Sequence, residues 1–179
     1  MSGLIERARA QCGPVDLLVN NASIFEPSSL LDVSVPDIQR NLQINALAPL
    51  QLARAFARQC VPDHAPQVLN LLDTRVTEYD RAHAAYHVSK RVLRDLTAML
   101  ALELAPDVQV NGIAPGLILP PPGRGPEYLQ KLASETPLRR VGNVGEIVAA
   151  ARFLWSSRYV TGQTIYVDGG YHLKGATYA

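Results

Sequence analysis

Tyr86 and Lys90 stand four residues apart in Tyr86-His-Val-Ser-Lys90. On a helix that spacing places both side chains on one face, a single turn apart. An ammonium within about 4–6 Å of a phenol favours the phenolate and lowers its pKa by roughly 1–3 from near 10. Such a pair can exchange a proton with a substrate near neutral pH. Set against this is an ordinary surface Tyr and Lys, because a bare spacing is not a site. His83 and His87 share the same spacing and could face one metal ion. They have no evident third ligand nearby, so no metal is expected. Arg139-Arg140, after Pro137, reads as a solvated pair.

The elements that must carry these residues alternate. Asp16 to Asn20, Val68 to Leu72, Val108 to Ile113 and Gln163 to Asp168 are short apolar runs. Such runs suit strands buried on both faces of a parallel sheet. Between them lie helical patterns over 36–60, 84–105 and roughly 144–155. The second is the clearest, with Val88, Val92, Leu96, Met99 and Leu100 at three- and four-residue steps. The order strand, helix, strand, helix predicts an α/β fold with a parallel sheet. Gly116 to Pro126, with prolines at 120 to 122, reads as a loop within one domain spanning 1–179. Residues 1–12 look like the tail of a helix that Gly13-Pro14 ends.

The bulk numbers suit a folded protein. The 179 residues are 47% hydrophobic and 18% charged, enough apolar material for a core and against intrinsic disorder. A net charge of +1, with Lys and Arg scattered, gives no footprint for nucleic acid or a membrane surface. Cys12 and Cys60 are far apart and read as free thiols of a reducing compartment. No apolar run is long enough to span a bilayer, and the charged opening does not suit a signal peptide. A cytoplasmic location is expected.

On this scaffold five motifs resemble the short-chain dehydrogenase/reductase family over nearly the whole chain. Asn20-Asn21-Ala22-Ser23 ends the first strand where the family has Asn-Asn-Ala-Gly. Asn45, in Leu-Gln-Ile-Asn-Ala, falls where it keeps a catalytic asparagine. Tyr86 and Lys90 match its Tyr-x-x-x-Lys pair. Asn111 to Gly116 matches its Pro-Gly turn beside the nicotinamide, and Thr161 to Gly170 its closing strand. The resemblance implies a Rossmann-like, doubly wound parallel sheet. It also implies cofactor contacts from Asn20, Asn21, Ala22, Tyr86, Lys90, Pro115 and Gly116. The lysine would hold the nicotinamide ribose, and Asn45 would support a water-linked proton path. A homo-oligomer, dimer or tetramer, is expected through helices 36–60 and 84–105.

The departures are informative. Thirteen residues before the tyrosine most of the family has serine, but this chain has Asp73. Pteridine reductases carry aspartate there, and a carboxyl group at a strand end in a cleft suits proton transfer. The plain alternative is a strand-end Asp that starts a turn, as in Asp-Thr-Arg. After Asn-Asn-Ala the chain continues Ser23-Ile24-Phe25, similar to the serine and pterin-sandwiching aromatic of the pteridine reductases. A flat heteroaromatic ring gains about 0.5–1.5 kcal/mol from stacking beyond burial, whereas Phe25 could also be simple loop packing. Pro120 replaces the threonine that many members use to hold the carboxamide. These positions imply an NADPH-dependent reductase with Asp73, Tyr86, Lys90 and Asn45 catalytic. Ser23, Phe25, Asp73 and Tyr86 would then bind a dihydropterin or dihydrofolate-like ring.

No glycine-rich phosphate turn joins a strand to a helix in this sequence. Gly123-Arg-Gly125 lies in a proline loop after the third strand and is not expected to open a helix. By the resemblance, three strands and their helices should precede Met1, at about 30 or more residues per βαβ unit. Asp16 to Asn20 would then be an uncovered sheet edge, with poor stability and weak NADPH binding as the expected result. The alternatives are a reductase of another carbonyl substrate, or a catalytically silent truncated paralogue that acts as an assembly partner.

Overall fold

Four of the chain's apolar runs form strands: β1 (Leu17–Asn20), β2 (Gln67–Leu71), β3 (Gln109–Pro115) and β4 (Thr164–Val167). They pair in parallel in the order β1-β2-β3-β4, with Leu18 opposite Val68, Val68 opposite Val110, and Ile113 opposite Ile165. The computed structural model describes residues 3–61, 64–77, 80–121 and 123–176, with side chains to residue 173. Met1, Ser2 and Pro122, parts of the expected helix tail and proline loop, lie outside the described residues.

The helices are α1 (Gly3–Cys12), α2 (Val35–Leu42), α3 (Ala48–Ala57), α4 (Ala84–Glu103), α5 (Pro126–Ala133) and α6 (Val144–Ser156). Gly13 stops α1 with φ +82 and donates its N–H back to the Arg9 carbonyl, a helix end that favours glycine. Ser34 caps α2 by accepting from the Asp37 N–H, and Asn143 with Glu146 forms a reciprocal capping box on α6.

The two faces of the sheet are covered unequally. On one, Ile5 of α1, Ala53 and Phe56 of α3, and Leu100 and Ala101 of α4 pack on Val68 and Val110. On the other, Leu69 and Ile113 meet Leu154 of α6, with Leu17, Ile147, Ala151 and Ile165 around them. Two residues beyond Leu17, on the same face of edge strand β1, Val19 is left 47% exposed.

Two expectations need correction. The single helix over 36–60 is broken by a π-helical turn, Gln43–Leu47, between α2 and α3. Pro49 has no N–H to donate to the carbonyl of Asn45, and Ala48 bonds instead to Gln43. Gly123-Arg-Gly125, not expected to open a helix, leads into one. Gly125 and Pro126 open α5, with proline in the first turn where its missing N–H costs nothing. Leu129 and Ala133, four apart and buried, were the available signal for that helix.

Candidate active site

Because the strands are parallel, all of their C-terminal ends open on one edge of the sheet, where α/β proteins bind ligands. Asn20 to Phe25 leave β1 there, Asp73 follows β2, Gly116 follows β3 and Tyr171 follows β4. Tyr86 and Lys90 reach this edge from the first two turns of α4. A cavity of ≈ 670 Å³ opens among them, walled by Phe25, Asp73, His83, Tyr86, Arg124 and Tyr128 with further apolar groups.

Tyr86 is buried and donates its hydroxyl hydrogen to Asp73 Oδ2 at 2.7 Å. The other oxygen, Asp73 Oδ1, accepts from the Arg75 N–H at 2.7 Å and caps the 3₁₀ turn Thr74–Val76. Asp73 therefore starts a turn and also holds the tyrosine. Burial, and then the negative Asp73, push the Tyr86 phenol well above its ordinary value. This corrects the expectation of a phenolate favoured by Lys90. The lysine ammonium lies 5.8 Å from the Tyr86 ring centre and donates to the Leu71 carbonyl at 2.7 Å. Burial lowers Lys90 itself to about 8, with Asp73 opposing.

Asn45 does not join the tyrosine. Fully buried in the π-helical turn, it accepts from Ile24 N at 2.9 Å and Ser23 Oγ at 3.1 Å. Its amide donates to the Ile24 carbonyl and to Ser89 Oγ, each at 3.0 Å. It thus braces the loop that carries Phe25. Ser23 touches the site only through this brace, and Asn21 and Ala22 are exposed beside it. Asn20 is buried in a separate polar line, donating to Asn70, which donates to Thr97.

Phe25 stacks on His83 with ring centres 4.0 Å apart and meets Tyr86 edge-on at 4.7 Å. His83 and His87 lie 3.2 and 3.0 Å from the Asp80 carboxylate, which also pairs with Arg75 at 2.7 Å. The His87 contact lacks the alignment of a hydrogen bond. No group of three or more metal-ligating residues occurs among the described residues. Arg139 and Arg140 are both exposed, and Arg140 pairs with Glu146 at 2.6 Å.

Sequence reasoning gave Asp168 no part in the site, yet it fastens its edge. Its carboxylate accepts from the Thr74 hydroxyl, the Gly170 N–H, and both the N–H and Nδ1 of His172. Burial pushes Asp168 up, but these bonds outweigh it and hold the carboxyl below its usual range. A Cβ on Gly116 would lie 2.6 Å from the Asp168 Cα, so only glycine fits where β3 passes it. The Val-Asp-Gly-Gly run at 167–170 was the visible signal.

The family model described as Enoyl-(Acyl carrier protein) reductase matches residues 1–172. The chain belongs to the short-chain dehydrogenase/reductase family. Membership makes it an NAD(P)H-dependent oxidoreductase. It is 32% identical over 174 residues to Carbonyl reductase [NADPH] 2 of Sus scrofa, covering 93% of this chain and 71% of that one. Pteridine reductase 1 of Leishmania tarentolae is 32% identical over 200 residues, covering 98% and 69%. The crystal structure of FolM Alternative dihydrofolate reductase 1 from Brucella suis in complex with NADP superposes with a TM-score of 0.91. It is 35% identical over 96% of this chain and 70% of that one.

Proposed function

We propose that this reductase uses NADPH to reduce a pterin ring of the dihydropterin or dihydrofolate type. The Tyr86–Asp73 hydrogen bond, at the wall of a cavity that Phe25 also lines, carries the reading. A carboxylate that replaces serine beside the tyrosine, with an aromatic ring in the cavity wall, suits a heterocycle better than a small alcohol. The pteridine reductase of L. tarentolae and the dihydrofolate reductase of B. suis, both similar to this chain, support it.

The residues present fit the nicotinamide half of the cofactor. Lys90 is 4% exposed and makes one hydrogen bond among the described residues, although an ammonium has three donors. Its remaining donors suit a ribose hydroxyl pair. Tyr86, Pro115 and Gly116 would flank the ring, and Asn20, Asn21 and Ala22 would lie along the ribose. Bound NADPH supplies the hydride. Tyr86 and Asp73 hold one proton between Oη and Oδ2 for delivery to the reduced ring, and Lys90 keeps positive charge behind them. Asn45 and Ser23 fix the loop that aims Phe25.

The second reading, reduction of another carbonyl, is favoured by the likeness to Carbonyl reductase [NADPH] 2. Phe25→Ala separates the two. With a dihydropterin, KM should rise roughly ten-fold as stacking is lost, while a small carbonyl substrate should hardly respond. The reverse order would overturn the pterin reading. Failure of the chain both to bind NADPH and to turn over any substrate would leave the assembly-partner reading.

A further inference from the structure

We infer that Arg124 anchors a carboxylate that the substrate carries beyond its reacting ring, so that the cavity takes folate-type rather than bare pterin substrates. This rests on the pterin reading for the ring, while the anion site stands on the charges of the cavity. Three residues with permanent charge line it: Asp73, Arg75 and Arg124. Asp73 is engaged by Tyr86 and the Arg75 backbone. The Arg75 guanidinium is neutralised by Asp80 at 2.7 Å.

Arg124 alone has no carboxylate partner among the described residues. Its guanidinium lies over the Tyr128 ring, 5.6 Å from the centre, an arrangement that steadies the fork while leaving its N–H donors open. The nearest acid in sequence, Glu127, folds back over Gly125, where an added Cβ would fall 2.3 Å from its Oε2. The surrounding wall is apolar, with Leu119, Pro121, Leu129 and Leu132. Arg124 is exposed at the edge of this wall, and a planar guanidinium there matches a carboxylate, which it can bind through two parallel hydrogen bonds. Phe25 and Tyr86, from other segments, form their own contact cluster for the ring. One cavity therefore offers an aromatic wall and a cation to the same ligand.

The test compares the full chain and Arg124→Ala with NADPH on dihydrofolate, which has a glutamyl tail, and on dihydrobiopterin, which has none. The ratio of kcat/KM for dihydrofolate over dihydrobiopterin should fall about ten-fold in the variant, with Arg124→Lys recovering part of it. An unchanged ratio, or a rise in KM for NADPH instead, overturns the assignment. If the unmodified chain turns over neither substrate, the pterin reading fails separately. The anion site is then read by calorimetric titration with 4-aminobenzoyl-glutamate. Binding weakened about ten-fold in Arg124→Ala supports it, and equal binding or none to either protein overturns it.

Discussion

Tyr86 is hydrogen-bonded to Asp73: its phenolic hydroxyl donates to Oδ2 at 2.7 Å. The tyrosine comes from the first turn of α4 and the aspartate from the end of β2, so the contact exists only because helix and sheet are packed. The carboxylate's second oxygen is fixed by Arg75 N, which leaves Oδ2 little freedom to turn from the tyrosine. A neutral phenol beside a carboxylate is the resting state that burial favours.

Tyr86→Phe should lower kcat by about 10²–10⁴-fold, the usual worth of a positioned proton donor. The fold should persist, because Asp73 is only partly buried and solvent can replace the lost hydroxyl at a cost of about 1 kcal/mol. Steady-state kinetics alongside a thermal melt checks both halves. A variant that retains a tenth of the activity would remove Tyr86 from the reaction.

Lys90 makes stability depend on alkaline pH. Burial holds it at about 8, against 10.5 in the unfolded chain, so the unfolded state binds the proton more tightly between those values. Stability therefore rises with pH from about 8 towards 10.5, by up to about 3 kcal/mol from this residue. The raised Tyr86 acts oppositely above 10.0, where the unfolded phenol ionises first. Urea midpoints from pH 7 to 10 should climb for the native chain and stay flatter for Lys90→Met.

Asp168→Asn should destabilise the chain by about 2–3 kcal/mol at pH 7, because an amide cannot accept all that the carboxylate accepts. The native carboxyl is held below its usual range, so its contribution is present above about pH 4. It is lost as pH falls through the lower folded value. Native and variant should converge in acid. A constant difference between pH 7 and 3 would mean that packing, not charge, is what the substitution removes.

These effects differ in how far the sequence announces them. The strands were legible because runs such as Val68 to Leu72 are apolar at all but one position, Asn70, as a strand buried on both faces allows. Tyr86 and Lys90 were legible as a helical pair, but the direction of the tyrosine's shift was not. It depends on where the ammonium points, and Lys90 turns to the Leu71 carbonyl. Phe25 was legible as an aromatic at the cavity, whereas its stacking on His83 joins residues from distant segments. Asp168 looked like part of a closing strand. Its grip on Thr74 appears only when the ends of β2 and β4 lie either side of β3.

Asn45→Ala distinguishes a brace from a proton relay. The substitution leaves the part-buried Ile24 N–H and carbonyl and the buried Ser89 Oγ without their partner, a cost of about 2–4 kcal/mol in stability. If the residue serves mainly to hold the Ser23–Phe25 loop, the displaced ring weakens substrate binding, so KM rises while kcat falls little. If instead it carries protons towards Tyr86 and Lys90, kcat falls with KM nearly unchanged, and the loss deepens where proton delivery limits turnover. The bonds to Ile24 and Ser23 occupy both ends of the amide. The first outcome is therefore the one expected, with pre-steady-state kinetics separating the binding and chemical steps.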